Sequence, residues 1–168
     1  MTVLADRRVA AYWARQVGAF ENGVARVLAG DLTAVHPTRV SVRRMRSTLR
    51  TFGPLFDVRA VERIDHELEW VAAELGTVRD REVLIGMFSG RQDLDDELRG
   101  PLLQVLGEEL EHNGARLREV LGEDRSRLLL DHLRTTVDDP ATTADADLEP
   151  YREESPGEWW GLRAGGEA

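Results

Sequence analysis

The chain has 168 residues, 42% of them apolar, and a formal charge of -9, built from 31 acids and 22 arginines with no lysine and no cysteine. That length and apolar content suit one domain with its own core, with or without a tail. The absence of cysteine excludes a disulfide scaffold and a thiolate metal site, and no segment approaches the roughly 18 consecutive apolar residues of a membrane span.

Residues 3–29 read as a first helix. Trp13, Val17, Phe20, Val24 and Val27 recur at helical spacing on one face. Charges within the first eight residues argue against a signal sequence, so a cytoplasmic location is expected. Gly30 fits a C-terminal stop, and Asp31 and Thr33 are candidate caps for the next helix.

Residues 35–52, VHPTRVSVRRMRSTLRTF, form the second helix, with five arginines, one histidine and no acid. Pro37 belongs in the first turn, where its missing N–H costs least. With His36 at zero and about 100° per residue, Arg39, Arg43, Arg46 and Arg50 fall in a wedge about 80° wide, with Arg44 on its rim. Val35, Val42, Met45, Leu49 and Phe52 form an apolar stripe on the opposite side. A column of like charges repels itself by a few tenths of a kcal/mol for each pair. Either acids of neighbouring helices or a polyanion can offset that. The guanidinium fork suits phosphate, although arginine is also the only long basic residue in this chain.

Gly53 and Pro54 end that helix, and Leu55 and Phe56 can still pack on it. A third helix is expected from Val58 to Gly76, with Val61, Ile64, Leu68, Val71 and Leu75 apolar. Gly76 is expected to break or cap it, and Thr77 to restart a helix through Phe88, with Arg79 and Asp80 in the new first turn. After a loop at Ser89 and Gly90 comes a helical stretch over 93–122, with Pro101 near its start. A last helix, Glu123–Val137, stops before Pro140.

Two blocks carry a resemblance: H-x-x-R-V-x-x-R-R-x-R-x-x-L-R-x-F, from His36 to Phe52, then L-G-x-V-R-D, from Leu75 to Asp80. They resemble the first half of a CHAD domain, the conserved histidine α-helical family. The resemblance implies an all-α, antiparallel helical bundle that binds inorganic polyphosphate in a basic channel, without catalysis and without a cofactor. It implies association with polyphosphate granules, and His36, Arg39, Arg43, Arg44, Arg46, Arg50 and Arg79 as the ligand residues. Full CHAD domains hold two similar halves around a shared channel. Residues 1–137 read as one half, a natural half-domain or a truncated one, so a weak homodimer or a separate second CHAD half is an expected partner.

Residues 138–168, with nine acids against two arginines, read as a disordered acidic tail. Trp159 and Trp160 stand out there as a candidate docking pair. The body over 1–137 is then nearly neutral, at -2, which makes nucleic acid an unlikely partner because that needs a broad basic surface. Phosphate-loop, dinucleotide-binding, nucleophile-elbow and H-E-x-x-H patterns are all missing, so no metal or catalytic site is expected. A phosphohistidine relay, another helical protein-interaction module, or a truncated, non-functional CHAD fragment remains as an alternative. The relay would need His36 exposed in mid-helix, which Pro37 disfavours.

Overall fold

The computed structural model of the chain describes residues 2–53, 58–91 and 93–138. The expectations for Leu55 and Phe56, and for the tail with Trp159 and Trp160, lie outside the described residues. The described residues form five α-helices in order: α1 (Thr2–Leu28), α2 (Val35–Phe52), α3 (Val58–Ser89), α4 (Asp96–Gly122) and α5 (Asp124–Asp138). Among the described residues there is no strand, and no helix is long and apolar enough to cross a membrane.

The apolar periodicity makes the core. Trp13, Val17, Phe20, Val24 and Val27 of α1 are buried with Val35, Val42, Met45 and Leu49 of α2 and Ile64, Leu68, Val71, Leu75 and Val78 of α3. Leu117 and Leu121 of α4 and Leu129 and Leu133 of α5 join the same cluster. Each such side chain stabilises the fold by about 1.5–3 kcal/mol relative to exposure. α2 packs against α1 and α3, while α4 and α5 pack mainly against those two helices and each other. Interhelical pairs run antiparallel: Arg39 meets Asp80 and Arg46 meets Asp65 across α2 and α3, and Arg81 meets Glu109 and Arg116 meets Glu74 across α3 and α4.

The α1–α2 corner is tight. Gly30 has φ +92°, a conformation that suits glycine, and ends α1. Asp31 accepts from the Thr33 N–H at 3.0 Å and caps a short 3₁₀ turn, Leu32–Ala34, rather than α2 itself. α2 starts directly from that turn with no side-chain cap. Beyond the corner, α1 and α2 approach closely. A Cβ on Gly23 would lie 2.0 Å from the Thr38 hydroxyl oxygen, so only glycine fits there.

Three expectations need correction. α3 runs unbroken through Gly76, so no helix restarts at Thr77, and Arg79 and Asp80 sit in mid-helix rather than in a first turn. α4 starts at Asp96, where the Asp95 carboxylate accepts from the Glu97 N–H at 3.1 Å, and Pro101 lies inside the helix rather than at its start. Phe52, placed on the apolar stripe, is 39% exposed at the last turn of α2.

Candidate anion-binding site

α2 is amphipathic in a way the apolar residues alone understate. Its buried side also carries Thr38, Ser41 and Thr48. Each hydroxyl donates to a carbonyl of its own helix or of the turn before it: Thr38 to Ala34 at 2.6 Å, Ser41 to Thr38 at 2.7 Å and Thr48 to Arg44 at 2.9 Å. These small, internally satisfied residues let the neighbouring helices come near without stranding a polar group. With that side sunk in the bundle, the arginines are left on the rim and the outer face.

The basic residues then divide into two sets. Arg39 and Arg46 lean toward α3. Arg46 makes a paired contact with Asp65, its Nε donating to one carboxylate oxygen at 2.8 Å and its Nη2 to the other at 3.3 Å. Glu69 adds a second carboxylate 3.2 Å from the same Nη2. The Arg46 side chain is only 17% exposed, and the Asp65 bond holds its pKa above the ordinary arginine value. Arg39 has Asp80 at 3.7 Å, a looser pair. It also lies against the α3 backbone: a Cβ on Gly76 would be 3.2 Å from its Nη1. The glycine that looked like a helix breaker is instead where an arginine crosses over α3.

His36, Arg43, Arg44 and Arg50 form the second set, and all four are exposed. Among the described residues no carboxylate lies within ion-pair distance of Arg43 or Arg44. Arg50 has only a marginal contact, 3.9 Å to Asp65. His36 stands in the first turn of α2 beside Pro37, not in mid-helix.

Along the helix the two sets alternate: His36 open, Arg39 paired, Arg43 open, Arg46 paired, Arg50 nearly open. Arg44, also open, sits about 100° round the helix from Arg43. Along this ridge His36, Arg43 and Arg50 are seven residues apart, a rise of about 10 Å. That spacing exceeds the screening length of about 8 Å at physiological salt. The repulsion expected of the Arg39, Arg43, Arg46 and Arg50 column is therefore relieved by α3 carboxylates at Arg39 and Arg46 and by distance between Arg43 and Arg50.

Arg79 stands apart from this ridge. It belongs to α3 and pairs with Glu82 on its own helix at 2.9 Å. Asp65 and Glu69, which face the ridge together with Asp80, carry no motif of their own in the sequence, and Asp80 enters there as the last residue of the second block. Their spacing puts them with Gly76 in a strip of α3 about 60° wide, a signal that a continuous α3 would have made readable. The remaining histidines, His66, His112 and His132, are exposed, and among the described residues no group of three or more acids or histidines could hold a metal ion.

A model of the CHAD domain family matches residues 11–160. The matched span runs from α1 past the end of α5, longer than the segment that carries the two motif blocks. No curated protein and no solved structure matches the chain.

Proposed function

The chain belongs to the CHAD domain family, and from that premise we propose that it binds inorganic polyphosphate along the outer face of α2 without catalysing a reaction on it. One observation carries the reading: four basic residues on one helix, His36, Arg43, Arg44 and Arg50, face outward with no strong carboxylate partner among the described residues. Guanidinium forks held at fixed spacing on a packed helix suit a flexible chain of phosphates, each presenting oxygens for charge-assisted hydrogen bonds. Arg39 joins by exchanging its loose Asp80 contact for phosphate. Arg46 serves as the brace that fixes α2 to α3, and Arg79 lies at the margin of the site. A homodimer, or a separate second CHAD half, would bring a second arginine helix to the same polymer. Polyphosphate granules in the cytoplasm are the setting that fits this activity.

The test is a competition. Labelled long-chain polyphosphate bound to the protein is challenged with duplex DNA at equal phosphate concentration. The proposal expects unlabelled polyphosphate to displace the label and DNA to do so poorly, since the basic surface is one helix wide. Equal displacement by DNA would mean a nonspecific polyanion face.

A further inference from the structure

We infer that the carboxylates of Asp65, Glu69 and Asp80 are specificity-determining groups that bias the α2 face against short anions and toward chains long enough to reach several arginines at once. This rests on the polyphosphate reading of α2 and deepens it.

The alternation of open and paired positions carries the inference. An anion that arrives at one open cation, such as Arg43, finds its neighbours on the ridge already engaged: Arg39 with Asp80 at 3.7 Å, and Arg46 with Asp65 and Glu69 at 2.8 and 3.2 Å. The next open basic residues on the ridge, His36 and Arg50, lie about 10 Å away on either side. Arg44, also open, lies about 100° round the helix from Arg43 and off the ridge. On the ridge itself a short anion therefore makes one free contact, and a second ridge contact must displace a carboxylate. That carboxylate belongs to the same fold, so it competes at high effective concentration. A long chain avoids the competition by stepping from one open basic residue to the next, and can then take Arg39 as well.

The three acids differ in how readily they yield. Asp65 is tied to Arg46 through two hydrogen bonds in a partly buried position, so it stays. Glu69 and Asp80 have side chains 64% and 70% exposed, each with one contact to the ridge. They are the groups a ligand displaces, and the groups that can be altered without losing the fold. Their charge also extends over the paired arginines and weakens the local attraction for a small anion.

The experiment is isothermal titration calorimetry of the full chain and of a Glu69→Gln/Asp80→Asn double variant, with tripolyphosphate and with long-chain polyphosphate. Circular dichroism establishes that the variant is folded. Removing two exposed competing charges should tighten tripolyphosphate binding on the order of tenfold, and long-chain binding by less, so that the preference for long chains shrinks. An unchanged preference, or weaker binding by the variant, overturns the inference while leaving the polyphosphate reading in place, because the long chain still binds. Failure of the long chain to bind either protein ends both.

Discussion

Two glycines at helix crossings have opposite consequences, although both make room for a side chain of α2. At Gly23 an added methyl would collide with buried Thr38, whose Oγ1 would be 2.0 Å away and Cβ 2.9 Å away. Gly23→Ala is therefore expected to destabilise by about 1–3 kcal/mol through overpacking, a drop in Tm of roughly 2–12 °C. Thr38→Ala in the same chain should recover part of it. At Gly76 the methyl would meet only the tip of Arg39 at 3.2 Å, which can swing away. Gly76 also lies inside a helix, where alanine is favoured over glycine by about 1 kcal/mol. Gly76→Ala should therefore leave Tm unchanged or raise it, while loosening the Arg39 position. Thermal unfolding of the two variants side by side checks this, and a large loss at Gly76 would show that the Arg39 crossing is itself structural.

Along α2, one helix does two jobs with one residue type. Arg46 is partly buried and bonded to Asp65 through both carboxylate oxygens, whereas Arg43 is exposed with no acid partner among the described residues. Arg46→Ala should cost about 1–3 kcal/mol, because it leaves Asp65 half-buried without its bond. Arg43→Ala should change stability by less than about 0.5 kcal/mol. Urea denaturation separates the two, and similar losses would refute the division of the arginines into a brace and an open set. The amphipathic frame of α2 was legible because Val35, Val42, Met45 and Leu49 keep helical spacing. The division was not, since it depends on which arginines lie beside α3. Reading Gly76 as a break hid that register: glycine lowers helix propensity, but packing of Val71, Leu75 and Val78 on the core overrides it here. Pro101 misled for a related reason. Asp95 supplies a cap six residues earlier, and the helix runs through the proline on the strength of Leu106, Leu117 and Leu121.

For the molecule as a whole, the arrangement of helices decides what α2 can offer. α1 and α3 hold its inner side, and α4 and α5 are occupied with those same two helices. Among the described residues, none of the other helices packs on the outer face of α2, which runs about 27 Å for 18 residues. A net charge of -9 on the chain does not prevent this, because among the described residues the acids that pair with α2 lie on the α3 strip and leave Arg43 and Arg44 without a carboxylate partner. The most direct measurement is the affinity of long-chain polyphosphate for the full chain and for an Arg43→Ala/Arg44→Ala/Arg50→Ala variant, across a series of salt concentrations. Wild type is expected to bind with an affinity that falls steeply as salt rises, as counterions released from the polymer dictate. The folded variant is expected to bind at least about tenfold more weakly, with a shallower salt slope. Equal affinity and equal slope in the folded variant would contradict the assignment of the α2 face as the polyphosphate site.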